Sequence, residues 1–254
     1  MSSNIPSWAG VAASVGLVVL CVAVIVRDQL GLAREVVLSA IRAAVQLVAV
    51  GALLGVLFRT AGLPGAFAWV AVMIAVGAQV AGSRGRGVPG ARWVAAAAIS
   101  VGVVSTLGLL VLAQVIDTHP RVVVPVGGMV VSAATRGTSV VLLRMAEQAV
   151  SARSFVEARL ALGLSAGEAF APHRRTAQRT ALVTDIDAVK TVGLISLPGA
   201  MTGLLLAGVD PLTAIRYQVV VMYMLLSAVA VAGTVAAHLG SRQLFDDAER
   251  LVTA

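Results

Sequence analysis

Seven apolar blocks of roughly 20 residues, divided by short polar connections, constrain this chain more than any other feature. A helix rising 1.5 Å per residue needs about 20 residues to cross a hydrocarbon core about 30 Å thick. The blocks fall at about Trp8–Val26, Val36–Phe58, Pro64–Gly82, Trp93–Ile116, Val122–Leu143, Thr191–Val209 and Ile215–Leu239. Lipid offers no partner for a bare amide, so only helices or closed barrels span it. The expected fold is all-α: a polytopic helical membrane bundle of about seven transmembrane helices, forming one domain over residues 1–254. Composition agrees, since charged residues make up 12% of the chain and mean hydropathy is +0.95, against roughly 25% charged in soluble domains.

The net charge of +7 would suggest nucleic acid as a partner in a soluble protein. Here the cations sit between apolar blocks and read as topology, with no nucleic-acid role. The connections after the first, third and fifth blocks, with the C-terminal stretch, hold most of the 19 Lys and Arg residues. The opposite connections hold Arg59, Arg121 and Arg216, while Arg42 and Arg136 fall inside blocks. The positive-inside rule then puts the N-terminus outside and the C-terminus inside a cell inner (plasma) membrane crossed many times. Residues 1–7 hold no Lys or Arg, so the first block is read as a span and not as a signal sequence. Cys21 is the single cysteine and leaves no internal disulfide to form.

One connection is long enough to meet a partner, the cytoplasmic segment at about 144–190. Its spacing predicts a helix over Phe155–Leu162, ended by Gly163 in a left-handed cap. Ser165 and Glu168 carry the capping-box spacing that starts the next helix, and Pro172 is expected to limit that helix to about two turns. Leu160, Leu162, Leu164, Ala169 and Phe170 would offer an apolar docking surface. The segment is suited to be a coupling helix, though packing on the bundle or the lipid surface fits the same pattern. A DNA-reading helix-turn-helix is disfavoured by the tether to two spans.

Inside the membrane, Glu35, Ser39, Arg42 and Gln46 share one helical face, and an ionisable group there is costly to bury. Arg42 either faces a functional cavity or snorkels to the inner surface. Arg136 lies deeper, and Asp185, Asp187 and Lys190 could join it in one charge network, or serve as structural ion pairs. Leu197, Pro198, Gly199 and Gly203 would interrupt the sixth block, and Pro125, Gly127 and Gly128 the fifth, as in transport pathways. Gln218, Met222 and Met224 in the last block are possible cargo contacts, or filler.

The sequence has no phosphate-binding loop, so ATP would have to be hydrolysed by a partner chain. His119, His173 and His238 are scattered, no metal-ligand spacing is present, and no nucleophile–base pair suggests an enzyme.

The stretch Asp187-Ala-Val-Lys-Thr-Val-Gly-Leu-Ile-Ser-Leu-Pro-Gly-Ala-Met-Thr-Gly203, followed by Ala-Gly-Val-Asp210-Pro and Ile215-Arg-Tyr-Gln218, resembles the FetB-type family of ABC exporter permeases. Ile41-Arg42-Ala-Ala-Val-Gln46-Leu fits the same family. Glu157-Ala158-Arg159, with Gly163 six residues after Glu157, is similar to the Glu-Ala-Ala loop by which such permeases contact their ATPases. Arg159 departs from the usual second alanine, and the Gly-Asn expected after Met129 is missing. The resemblance implies a permease homodimer with two copies of a separate ATPase. It also implies iron export in bacterial members and, in plant relatives, links to aluminium tolerance and UDP-glucose. On this reading the chain binds no cofactor of its own, ATP belongs to the partner, and it is not an enzyme. Arg42, Gln46, Arg136, Asp187, Lys190, Pro198, Gly199, Met201, Gln218 and Met222 would line or gate the path. Glu157, Ala158, Leu162, Gly163, Ser165, Glu168 and Phe170 would couple to the ATPase. An ion-coupled secondary transporter, a permease for a nucleotide sugar or other organic cargo, and a seven-helix sensor are the alternatives.

Overall fold

The computed structural model describes residues 8–60 and 62–252, with side chains except those of Trp8 and 56–60. Residues 1–7, on which the reading of the N-terminus rests, lie outside it, as does the side chain of Arg59. Helices account for nearly all of it: α1 (Trp8–Arg27), α2 (Ala33–Thr60), α3 (Gly62–Arg84), α4 (Ala91–Leu112), α5 (Pro120–Ser151), α6 (Arg153–Ala161), α7 (Ala166–Thr191), α8 (Gly199–Leu206) and α9 (Pro211–Gln243). Six of the described helices, α1–α5 and α9, are long and apolar enough to cross a membrane.

The chain divides into two compact units at Gly62. In the first, α1 and α2 pack as a hairpin whose apolar residues are exposed, as expected of helices solvated by acyl chains or covered by other protein. In the second, α5 is the central element, with 61% of its most apolar stretch buried. Small residues let the backbones approach. A Cβ on Gly127 would lie 2.7 Å from Val70 Cγ2, one on Gly137 2.9 Å from Val229 Cγ1, and one on Gly102 2.9 Å from Ala232 Cβ. The sequence reading of Pro125, Gly127 and Gly128 as a break is therefore corrected. Helix α5 runs through Pro125 unbroken, and Gly127 serves close packing.

These contacts also fix helix directions. Gly77 of α3 and Gly85 just beyond its end meet Thr135 and Leu142 of α5, and Gly137 and Leu142 of α5 meet Val229 and Gly240 of α9. Helices α3, α5 and α9 therefore run parallel. Helix α4 runs against them, with Gly102 on Ala232 and Gly90 near Gln243. Two parallel helices in sequence require a return crossing between them. Helix α7 begins that return: His173 meets Gln148 and Asp185 meets Arg136, a matched 12-residue separation, or about 18 Å at 1.5 Å per residue. After Thr191 the chain breaks, and the eight-residue α8 follows it.

The interruption expected within the block Thr191–Val209 at Leu197, Pro198 and Gly199 is present, and it falls between the end of α7 at Thr191 and the start of α8 at Gly199. Pro198 lies at the N-cap of α8, and Gly193 adopts φ 80°. Local bonds cross the break and close the start of α8. Gly193 N–H donates to Ser196 O at 2.9 Å, and Thr202 Oγ1 donates to Pro198 O at 3.2 Å. A break at membrane depth needs such partners for its polar backbone.

The segment before it also departs from the sequence reading. Pro172 does not end the second helix, which runs for 26 residues in all, Ala166–Thr191. Ala169 and Phe170 are not available for docking, since both are fully buried.

Candidate functional site: a groove beside a broken helix, and an Arg-rich end that holds α6 and α7

The groove lies between α5, the end of α7, the break and α9. Its middle, about 290 Å³, is lined by Arg136, Asp185, Val192, Ser196, Pro198 and Met222 among others. A neighbouring cavity of about 430 Å³ shares Val189, Val192, Leu197 and Met222 with it and adds Met201, Gln218 and Tyr223. On the other side, a cavity lined by Pro125, Gly128, Met129, Ser132, Arg136 and Leu225 continues the groove. The broken helix thereby brings together five of the expected pathway residues: Arg136, Pro198, Met201, Gln218 and Met222. Gly199 opens α8 beside them.

Arg136 holds the centre. Its Nη2 donates to Asp185 Oδ1 at 3.4 Å and its Nη1 to Ser132 Oγ at 3.2 Å. It lies eight residues, about 12 Å, from the exposed Arg144–Glu147 pair at the helix end, yet its side chain is 55% exposed. An open guanidinium at that depth does not face acyl chains, because its desolvation is too costly. This face belongs to water or to protein. Gln218 is the other polar feature: 5% exposed, with neither amide atom paired. A buried amide without partners is costly unless another state or another molecule supplies them.

The single charge network is not what forms. Asp187 pairs with Lys190 at 3.0 Å across one turn, both exposed and apart from the residues that line the groove. Arg42 and Gln46 belong to the N-terminal hairpin. There Arg42, Ser39 and Glu35 line one cavity with Arg34 and Leu38, and Gln46 does not line it.

At the Arg-rich end, α6 stops at Gly163, φ 84°. Arg153 Nε pairs with Glu157 at 2.7 Å, Ala158 and Leu162 are exposed, and Leu162 is 80% exposed. At the start of α7 the Glu168 carboxylate accepts from Ser165 N at 3.1 Å and from Ser165 Oγ at 2.6 Å, which holds its pKa below the ordinary value. Buried Phe170 is an anchor, with its ring 5.6 Å from His173 and 6.2 Å from Phe245.

The role of Arg159 was not legible from its position alone. A proline at position 172 has no N–H for the carbonyl four residues back, Glu168 O. Arg159 Nη2 donates to that carbonyl at 3.2 Å, while its guanidinium lies 5.6 Å from the Phe155 ring. The side chain that departs from the Glu-Ala-Ala pattern repairs the gap left by Pro172, so the helix survives. The signal available in the sequence was the pairing of an unexpected arginine with an unexpected proline 13 residues on.

Long apolar helices, a broken return helix and a groove that holds a half-exposed arginine define the chain as a multi-pass helical membrane protein. The chain belongs to the family described as "Uncharacterised protein family (UPF0014)", which matches residues 8–245. It is 38% identical over 231 residues to the "UPF0014 membrane protein STAR2" of Oryza sativa subsp. japonica, covering 89% of this chain and 80% of that one. It is 31% identical over 252 residues to the "Probable iron export permease protein FetB" of Escherichia coli (strain K12), covering 99% and 97%. With the "Protein ALUMINUM SENSITIVE 3" of Arabidopsis thaliana it shares 34% over 242 residues, 95% and 89%. No solved structure matches.

Proposed function

We propose that this chain is the membrane-spanning subunit of an ABC exporter in the cell inner membrane. It acts as a homodimer and moves iron or another metal outward with ATP hydrolysed by a separate subunit. The observation that carries the reading is the alignment of the two features on one helix. Helix α7 starts at the Arg-rich end beside Gly163 and Glu168 and ends at the break that lines the groove. A push on α6 and the α7 start is transmitted along a rigid rod to Asp185 and Val192, where it shifts the break against Arg136 and Gln218. Coupling of this kind needs a contiguous element with two positions, and the break supplies the hinge. Gln218, unpaired in this arrangement, would gain partners in the other.

The cargo comes from the name of the Escherichia coli relative. A second reading, an organic molecule or a metal carried in an organic complex, is favoured by the mostly apolar lining around Met201, Met222 and Tyr223. The ion-coupled alternative would use the charges of Arg42, Asp187 and Lys190 as a relay and no ATPase. The test is ATP hydrolysis by the candidate ATPase subunit reconstituted with this chain. Glu157→Ala and Gly163→Ala should each uncouple hydrolysis from export at normal membrane levels, and normal export in both would remove the coupling assignment.

A further inference from the structure

Beyond α9 the chain folds back on itself and does not trail away. Leu244 is fully buried and Leu251 nearly so. Phe245 and Leu251 form an antiparallel bridge, and Val252 N–H donates to Leu244 O at 2.8 Å. The turn between them is closed by Asp246, whose Oδ1 accepts from Ala248 N at 3.0 Å and Arg250 N at 2.8 Å, while Oδ2 accepts from Arg250 Nε at 2.9 Å. The Arg250 bonds hold the Asp246 carboxyl below its ordinary pKa. Within this closed turn Glu249 takes φ 55°. A non-glycine residue in that region is strained by about 1 kcal/mol or more and persists only where its surroundings impose it.

That strained residue reaches the other end of the molecule's sequence logic. Glu249 Oε2 accepts from Ala166 N, the first residue of α7, at 3.1 Å. First-turn amides of a helix have no partner within it and favour a carboxylate. Alongside, Phe245 stacks edge-on against the buried Phe170. Residues Ala248–Leu251 and Arg153, Glu157, Leu160 and Leu164 together wall a cleft of about 410 Å³.

We infer that the C-terminal turn Leu244–Val252 is a working part of the coupling element: Glu249 is a positioning residue that sets the α6–α7 corner against the ATPase. The inference rests on the ABC reading above. It assigns a role to a segment that the Glu-Ala-Ala resemblance does not include. The bond ties α7 to the end of α9, so force applied at α6 reaches α7 and α9 together, and loosening it lets the corner move without moving the groove.

The experiment uses the full chain in lipid nanodiscs with Glu249→Ala and Glu249→Gln; the latter keeps an acceptor oxygen. Two readouts are taken: amide exchange at Ala166 and Gly167 without the ATPase, and stimulation of ATP hydrolysis together with ATPase capture. Glu249→Ala should speed exchange about fivefold, the scale of a lost helix-cap bond. Stimulation should fall about as much with capture retained, and Glu249→Gln should restore most of both. Unchanged exchange would overturn the clamp, and faster exchange with full stimulation would reduce it to a local support with no coupling role. Wild-type protein that neither captures nor stimulates the ATPase would instead remove the ABC reading, and with it the coupling role, while leaving the exchange result to judge the clamp.

Discussion

At the scale of single residues, Arg159 and Pro172 are the most instructive pair. Removing the guanidinium in Arg159→Ala strands Glu168 O and should cost about 1–3 kcal/mol. Pro172→Ala returns the missing N–H. The double variant should therefore recover most of the stability lost by Arg159→Ala, which thermal unfolding in detergent would show; an additive loss would refute the repair. His173 makes a second residue-scale case. Burial first, and the Arg159 charge second, hold its pKa below the ordinary value near 6.5, and its Nδ1 lies 2.7 Å from Gln148 Oε1. The amide oxygen accepts, so the neutral ring donates from Nδ1. A lowered histidine pKa means the unfolded state binds more protons as pH falls below about 6.5, so stability is retained above that value and declines beneath it. His173→Gln should flatten that slope in unfolding measured from pH 7.5 to 5. The sequence offered Arg136 and Asp185, 49 residues apart, as possible members of one charge network or of structural ion pairs, and the structure pairs these two and leaves Asp187 with Lys190. Either Arg136→Ala or Asp185→Ala should lower transport by at most about fivefold, the scale of a half-exposed ion pair, and the exchanged pair Arg136→Asp with Asp185→Arg should recover part of it.

At the scale of elements, periodicity and capping located helices but not their lengths. The apolar blocks marked α1–α5 and α9 because lipid demands an unbroken apolar run. Gly163 and the Ser165–Glu168 box marked the α6–α7 corner because cap chemistry is local. Helix α7 could not be read in full, since its polar residues gave no span signal and Pro172 argued against continuation. What carried it through is a tertiary bond from Arg159, which sequence periodicity does not record. The sixth block shows the converse: Pro198 correctly announced a break, and the length of the apolar run concealed that the crossing is shared by two helices. Packing by small residues gives a further prediction. A Cβ on Gly82 would sit 2.7 Å from Arg92 Cα, a backbone atom that cannot turn aside, so Gly82→Ala should destabilise the second unit by about 1–3 kcal/mol. Gly108→Ala, with open space around it, should be close to neutral in the same thermal assay.

At the scale of the whole molecule, helix directions decide how the chain returns. Within the second unit, glycine contacts make α3, α5 and α9 parallel, which requires α7 and α8 to carry the chain back, and the connection after α3 meets the last turns of α5 and α9 at one end. The groove was partly legible, since Arg136, Pro198, Met201, Gln218 and Met222 meet there. Asp187 and Lys190 form their own exposed pair because Asp187, two residues on from Asp185, lies about 200° round the helix, on the opposite face. The central claim is that this groove is driven from the Arg-rich end by a separate ATPase. Inverted membrane vesicles containing this chain, with and without the candidate ATPase subunit, test it by uptake of iron and of a nucleotide sugar. The account predicts ATP-dependent uptake that requires both subunits and is lost in Gly163→Ala. Uptake by this chain alone, driven by a pH gradient and indifferent to ATP, would contradict it.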